Sequence, residues 1–217
     1  MGRVAGLEEA LKQHRKVVPS SGGAGRYFRL VDDGDMAIVR FLLESVQDIE
    51  TITYHEYKTM GDNGRPRYQR ISCLETDMCP LCVAAARDPR GAVTPAKISS
   101  FLPLYNYEDE ASQIWTRSVP ATEEIAELLQ RAHPIYSRRY SIKRKGAKGD
   151  IKTRYPIFEE DTDMTVKLSE FPPAPETYGR NGIVWERTEA ELLDLLQGGG
   201  HVLPPRTETR RGGADIF

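Results

Sequence analysis

The stretch Asp35–Leu43, DMAIVRFLL, decides the kind of fold that this sequence predicts. Apolar side chains occur at both odd and even positions, so the stretch is too apolar for a strand with one face in water. The turn residues Asp32, Asp33 and Gly34 come directly before it. We therefore predict a β-strand in the core of the protein.

Other short strand candidates follow along the chain. They are Ile49–Thr59, Arg67–Cys73, Lys97–Tyr107, Gln113–Ser118 and a hairpin of Tyr136–Arg144 with Ile151–Phe158 around a Gly146–Gly149 turn. Helices are predicted at Leu7–Lys16, Thr122–Ala132 and Thr188–Gln197, where Thr188 and Glu191 match a capping box. Many short strands without βαβ alternation predict a mainly β fold of the α+β class. An OB-type five-stranded barrel fits this order of elements best.

All three cysteines of the chain lie within ten positions, at Cys73, Cys79 and Cys82. The C-x₂-C spacing of the last two lets two thiolates bind one tetrahedral ion. Of the four histidines, only His55 lies close upstream, on a strand that could pair with the one carrying Cys73. The sequence therefore predicts one structural zinc ion (Zn²⁺) per chain, bound by His55 and the three cysteines.

Three other interpretations of these residues are weaker. Buried thiols beside an ordinary histidine would not require such clustering. A redox C-x₂-C pair would follow a strand in a βαβ context, which the sequence lacks. A zinc deaminase requires H-x-E followed by P-C-x-x-C, but here Tyr57 replaces the glutamate and Met78 replaces that proline. Without a general acid, and with four protein ligands, the ion has no evident reaction to catalyse, so we expect no enzyme activity.

Composition excludes several classes of protein. Hydrophobic residues make up 39% and charged residues 29% of the 217 residues, which is typical of a globular domain. No apolar run approaches the roughly 20 residues that span a bilayer, and no signal peptide is recognisable, so we expect a cytoplasmic protein without membrane contact. The formal net charge of -2 gives no hint of nucleic acid.

The charges are nevertheless segregated along the chain. Between 136 and 156, eight basic residues face a single acid, Asp150, whereas between 159 and 194 ten acidic residues face three basic ones. The first block can attract phosphates, and the second is a polyanion that could compete for the same surface.

Single-stranded nucleic acid is held by cations along its phosphates and by aromatic side chains beneath its bases. Two segments interleave both kinds of residue. The first surrounds the predicted metal site and consists of Tyr54, Tyr57, Arg65, Arg67, Tyr68 and Arg70. The second is the predicted hairpin, with Tyr136, Arg138, Arg139, Tyr140, Lys143, Arg144, Lys152 and Arg154. These residues are the predicted DNA-binding surface.

The order of His55, Cys73 and the Cys79–Cys82 pair resembles the helix-destabilising single-stranded-DNA-binding proteins of T-even and related tailed phages. Tyr27–Leu30 followed by Ile38–Leu42 is similar to the start of that family's core. The resemblance covers roughly residues 26 to 158. It implies an N-terminal arm and linker at 1–25, an OB core at 26–163 with a zinc subdomain at about 50–95, and an acidic region with a disordered tail at 164–217.

This resemblance implies a protein that coats and protects single-stranded DNA in phage replication, recombination and repair, with cooperative self-association on DNA. The terminus Asp215-Ile216-Phe217 resembles the acidic-aromatic tip by which bacterial and some phage single-strand binders recruit partners. We therefore expect these three residues to bind replication and recombination proteins.

Two rival functions remain at this stage. The first is a zinc-ribbon transcription or protein-interaction module that binds duplex nucleic acid or protein. The second is a nuclease using Glu108, Asp109 and Glu110. Because no histidine or lysine lies near these acids, a solvated turn explains them better.

Overall fold

The computed structural model describes residues 25–60, 66–76, 78–88, 91–131, 133–150 and 152–198. The predicted N-terminal helix, Arg65 and the terminal Asp215–Phe217 lie outside these ranges. Within the described ranges, none of the helices has the length and apolar character needed to cross a membrane.

The fold is mainly β with a few helices, and its strands form an open mixed sheet. The strands among the described residues are β1 (Met36–Phe41), β2 (Glu50–Met60), β3 (Pro66–Ser72), β4 (Lys97–Asn106), β5 (Ala111–Ser118), β6 (Arg138–Lys143), β7 (Ile157–Thr162), β8 (Tyr178–Gly179) and β9 (Val184–Trp185). The helices are α1 (Pro80–Arg87), α2 (Val119–Leu129) and α3 (Glu189–Leu196), with single 3₁₀ turns at Val46–Asp48, Ile135–Ser137 and Leu168–Glu170.

The described residues divide into two compact units. The first consists of the residues up to Thr53 together with Lys97–Thr177, and the second of Tyr54–Ala96 together with the residues from Tyr178 onward. This division differs from the predicted boundaries, because the region expected to be a separate acidic tail contributes to both units.

In the first unit the strand order is β7-β6-β1-β4-β2, with β5 paired to the other edge of β4. Alternate residues of β1, namely Ala37, Val39 and Phe41, point into one apolar core. In that core Trp115 meets the edge of Phe28, with ring centroids 5.8 Å apart. The predicted core strand is therefore confirmed.

In the second unit β2 pairs with β3, which pairs in parallel with β9, and β9 pairs in parallel with β8. Ile71 of β3 and Leu81 of α1 are buried in its small core together with Leu192 of α3. The predicted capping box is confirmed at the start of α3, where Thr188 accepts a hydrogen bond from Glu191 N–H and the Glu191 side chain accepts one from Thr188 N–H.

Two predicted elements differ from the structure. The helix predicted to start at Thr122 starts at Val119, because Pro120 needs no N–H partner in a first turn. The second strand of the predicted hairpin starts at Ile157 rather than Ile151. The chain between forms consecutive turns in which Asp150 N–H donates to Ala147 and Thr153 N–H donates to Asp150, so only a bridge from Lys145 to Arg154 remains there.

Candidate metal centre and nucleic-acid interface

Four side chains from three elements meet in the second unit. His55 lies on β2, directly opposite Ile71 of β3, and Cys73 is the first residue after β3. Cys79 is the N-cap of α1, and Cys82 lies in the first turn of that helix. The ligand atoms of the four residues all lie within 4.8 Å of one another. The structure thus brings together the four predicted ligands, and the cluster could hold a metal ion.

Three separations between these ligand atoms are close to those expected around a tetrahedral ion. Sulfur and nitrogen ligands at ordinary zinc distances would stand about 3.8 Å apart for two sulfurs and about 3.6 Å apart for sulfur and nitrogen. Cys73 Sγ lies 3.6 Å from Cys82 Sγ. His55 Nε2 lies 3.4 Å from Cys82 Sγ and 3.9 Å from Cys79 Sγ. All four atoms lie within 4.8 Å of one another, so binding one ion would draw the more widely separated atoms together by up to about 1 Å.

The histidine is oriented for this role by its other nitrogen. His55 Nδ1 lies 2.9 Å from the carbonyl oxygen of Thr94. A carbonyl only accepts hydrogen bonds, so the proton resides on Nδ1 and the Nε2 lone pair points into the cluster. Burial lowers the pKa of His55, while the Thr94 bond opposes that shift. The neutral form, which binds metals, is therefore favoured.

Backbone donors surround the cysteines. Burial raises the pKa of the Cys79 thiol, but N–H groups of Leu74, Cys82 and Leu81 outweigh burial and hold it below its ordinary value. Glu75 N–H donates to Cys73 Sγ at 3.4 Å, and Glu75 has a left-handed φ of 55°. Burial and the neighbouring thiols raise the pKa of Cys82 to about 12. A divalent ion that replaced the proton of Cys82 would remove the repulsion that raises this pKa, so the arrangement suits a metal ion.

No protein-family model matches the chain, and no curated protein matches it. The chemistry of the site is therefore argued from its own atoms. If one ion bound all four side chains, they would fill a tetrahedral shell, which is the arrangement that structural zinc sites have.

The predicted DNA-binding residues near this centre fall into two groups. Arg67 and Tyr68 lie on β3 with exposed side chains, and the Tyr68 side chain is 59% exposed. Tyr54 is buried and carries the Arg70 guanidinium over its ring at 5.3 Å. Tyr57 is half-buried against the small core. Among the predicted DNA-binding residues that the structure describes in this segment, only Arg67 and Tyr68 present an exposed cation and an exposed ring.

In the hairpin, acidic residues of β7 form ion pairs with two of the predicted DNA-binding arginines. Arg138 forms an ion pair with Glu159, and Arg139 forms a two-pronged ion pair with Asp161. Lys152 and Arg154 lie in the exposed turn region, whereas Tyr136 and Lys143 are half-buried. The turn therefore presents two exposed cations, Lys152 and Arg154. On β6, by contrast, a phosphate would have to compete with Glu159 for Arg138 and with Asp161 for Arg139.

Two predicted DNA-binding residues instead have structural roles. Tyr140 is fully buried, with its ring 5.4 Å from that of Phe41, so the prediction that it stacks beneath a base is wrong for this conformation. Tyr140 and Ile142 of β6 instead point into the apolar core. Arg144 is also buried, and its guanidinium donates to the carbonyls of Leu30, Gly146 and Ala147.

Sequence reasoning missed three residues on the face of the first sheet opposite its apolar core, of which Tyr105 and Tyr107 are half-buried and Arg40 is buried. Arg40 of β1 lies opposite Tyr105 of β4, and Tyr107 follows the end of β4. The alternation Leu104-Tyr105-Asn106-Tyr107 contains the signal, since it places both tyrosines on one face. The three acids after them are turn residues, because the Asp109 carboxylate accepts hydrogen bonds from Asn106 and Gln113.

Proposed function

We propose that the protein is a non-enzymatic single-stranded-DNA-binding protein of the kind found in tailed phages, with an OB-type barrel and one structural zinc ion. His55, Cys73, Cys79 and Cys82 are the proposed zinc ligands. The donor set and the separations support zinc, because a His-Cys₃ tetrahedron is a usual structural zinc site. The ion stabilises the inserted unit and takes no part in a reaction.

The connectivity of the first unit supports the OB assignment. Five of its strands follow the order in which an OB barrel is built: β1, then β4 and β5, then α2, then β6 and β7. β1 pairs with both β4 and β6, which gives the first strand its two neighbours. Tyr27 bridges to Ile114 on the free edge of β5. The metal unit then lies in the connection between the first and second barrel strands.

The position of the exposed cations along this order of strands supports DNA binding: they lie in two connections between strands. OB folds bind oligonucleotides with the loops between strands one and two and between strands four and five. Here the first connection carries the exposed Arg67 and Tyr68. The last connection carries Lys145 and Lys148 beside Lys152 and Arg154, all exposed. Each connection thus carries exposed cations, and the first also carries an exposed ring; these are the kinds of side chain that contact the backbone and bases of a single strand.

Binding of single strands but not duplex would shift melting toward the open form by mass action. In this proposal the protein coats transient single strands in phage replication, recombination and repair, with cooperative self-association. Asp215, Ile216 and Phe217 are proposed to recruit replication and recombination proteins.

The test compares affinity for a labelled oligothymidylate with affinity for duplex DNA of equal length across a range of salt concentrations. We expect preference for the single strand and no cleavage in magnesium. The double variant Lys152→Gln/Arg154→Gln should bind more weakly and lose about 0.7 of salt slope for each phosphate contact removed.

Lys167→Gln is the matched control, since Lys167 is an exposed lysine of the same unit outside both connections. It should bind like the parent protein. Tighter binding to duplex would favour the zinc-ribbon alternative and refute the proposal. Equal loss in the control would refute the role of the turn.

A further inference from the structure

A row of polar and aromatic side chains crosses the outer face of the first unit. Arg40 of β1 pairs in register with Tyr105 of β4, and Tyr105 pairs with Ser112 of β5. Val39, next to Arg40, is buried in the core and pairs with Tyr140 of β6, so Arg139 continues the row on β6. Across this face, neighbouring strands therefore carry Arg139, Arg40 and Tyr105 side by side.

The arginines of this row contact the aromatic rings. The Arg139 guanidinium lies over the Tyr107 ring, 5.6 Å from its centroid. Arg40 Nε donates to the Tyr107 hydroxyl at 2.9 Å and holds it in place. Tyr107 in turn forms a T-shaped pair with Tyr105, with ring centroids 5.1 Å apart. Hydrogen bonds and stacking therefore position the rings before any ligand arrives.

A later segment of the same chain lies on this row. The Phe171 ring stacks at a tilt on Tyr105, with centroids 5.1 Å apart, and the Arg40 guanidinium lies 5.7 Å from the Phe171 centroid. Next to it, the Pro172 carbonyl accepts a hydrogen bond from the Ser112 hydroxyl. Ten residues before Phe171, the Asp161 carboxylate binds the Arg139 guanidinium at both oxygens.

The chemistry of this internal occupant resembles that of a nucleotide. A flat ring contacts both an aromatic ring and a guanidinium, which are the two kinds of group that hold single-stranded bases. A bidentate carboxylate on arginine takes the place that a phosphate would take. The covering segment from Glu159 to Glu176 contains six acidic residues and one basic residue, so its charge also matches a phosphate backbone.

We propose that this outer face is a nucleotide site for single-stranded DNA, in which Tyr105 stacks with a base and Arg139 binds a phosphate. Without DNA, Phe171 of the same chain occupies the position of the base and Asp161 occupies the position of the phosphate. The single strand displaces both. The proposal rests on the proposed function and names a site of it that lies outside the two basic connections.

The first arm of the test removes the stacking ring. Tyr105→Leu should weaken oligothymidylate binding about 5- to 150-fold, which is the range for one lost stacking contact. Its salt slope should stay unchanged. Tyr105→Phe keeps the ring and should bind like the parent protein. Thermal unfolding of both variants checks that the fold is retained.

The second arm removes the internal occupant. Phe171→Ala should tighten binding about threefold or more, because the competent state no longer has to displace a ring. Asp161→Asn should also tighten binding and steepen the salt slope by about 0.7, since in the parent protein the displaced Asp161 carboxylate takes up a cation that offsets the counterion released by the phosphate at Arg139. Glu176→Gln removes the same charge from the same segment and should leave the slope unchanged.

The results separate this inference from the proposed function. If the parent protein binds oligothymidylate but Tyr105→Leu binds equally well and Phe171→Ala does not tighten binding, the site is refuted while the proposed function stands. If neither the parent nor Phe171→Ala binds single strands, both are refuted. Weaker binding in Tyr105→Leu together with tighter binding in Phe171→Ala would support the site.

Discussion

The two units of the chain are stabilised by different means. Among the described residues, the core of the first unit buries fourteen in one cluster, including four aromatic side chains. The described part of the second unit buries six in its cluster, and one of these is Cys79, a candidate metal ligand. A small cluster of this kind offsets little of the entropy cost of ordering a chain. The comparison teaches that the apolar core of the second unit is the smaller of the two, so a metal ion bound by the four candidate ligands would add stability where apolar burial supplies less.

The two tryptophans allow this comparison to be measured. Trp115 is buried in the first unit and Trp185 is buried in the second. Variants with Trp185→Phe or Trp115→Phe each leave one fluorescent reporter, so the unfolding of each unit can be followed separately.

Loss of the metal ion should have the largest effect. Structural zinc contributes an apparent ~10–16 kcal/mol in small zinc-finger peptides, which a cluster of six residues cannot replace. We expect Cys82→Ser, or a chelator added to the parent protein, to remove zinc and shift Trp185 emission to the red. Trp115 emission should stay unchanged. Elemental analysis that finds no zinc in native parent protein would contradict this prediction.

A cavity in the core of the first unit should have the next largest effect. It should destabilise the first unit and leave the second unit unchanged. Phe41 is fully buried against Tyr140 and Trp115. Phe41→Ala should lower the free energy of unfolding followed by Trp115 by about 3–5 kcal/mol and leave the zinc content unchanged. Phe158→Ala is the control, because that ring is 52% exposed. If Phe41→Ala released the metal, the two units would not be separately stabilised.

Loss of the helix cap should have a smaller effect, confined to the second unit. Thr188→Ala removes the side-chain acceptor for Glu191 N–H and should cost about 1 kcal/mol in unfolding followed by Trp185. Thr188→Ser keeps the oxygen and should restore most of that stability. An equal loss in the Trp115 signal would show that the cap acts beyond its own unit.

The exposed ion pair of β7 should have the smallest effect, and its dependence on pH has a defined sign. Hydrogen bonds from Arg139 hold the pKa of Asp161 below its ordinary value of 3.8. The stabilisation is therefore fully present above that value and is lost as the pH falls through the lower pKa of the folded protein. The Asp161 side chain is 51% exposed, so the gain should be below about 1 kcal/mol.

The measurement compares Trp115-monitored unfolding of the parent protein and Asp161→Asn from neutral pH to about pH 2. The difference between the two should vanish at the acid end. Glu176→Gln should show no such difference. A gap that widens toward acid would reverse the assigned sign.

Elements with a strong local signal were predicted from the sequence. The capping box at Thr188 and Glu191 identified α3, and the cysteine spacing identified the ligand cluster. In both cases the interacting residues are close in sequence or chemically unusual, so the pattern leaves few alternatives. His55 is distant in sequence, but it was the only histidine in a suitable place.

Features decided by tertiary packing were not predicted. β8 and β9 have two residues each, which is too short for any period to be detected. Tyrosine has both an apolar ring and a polar end, so the sequence could not show that Tyr140 of β6 faces the core. The acidic region was read as a tail because the contacts of Phe171 depend on residues more than sixty positions earlier.

The second unit is built from two chain segments that are far apart in the sequence, and this sets an order in time. All four candidate ligands lie in Tyr54–Ala96, whereas β9 and α3 come from the last part of the described chain. At about 5–20 residues per second, the roughly 100 residues between Cys82 and β9 take on the order of 5–20 s to synthesise. During that interval β3 has an open edge and α1 lacks its partner helix. A metal ion captured on the ribosome would hold the ligand loops together until the rest of the unit is made.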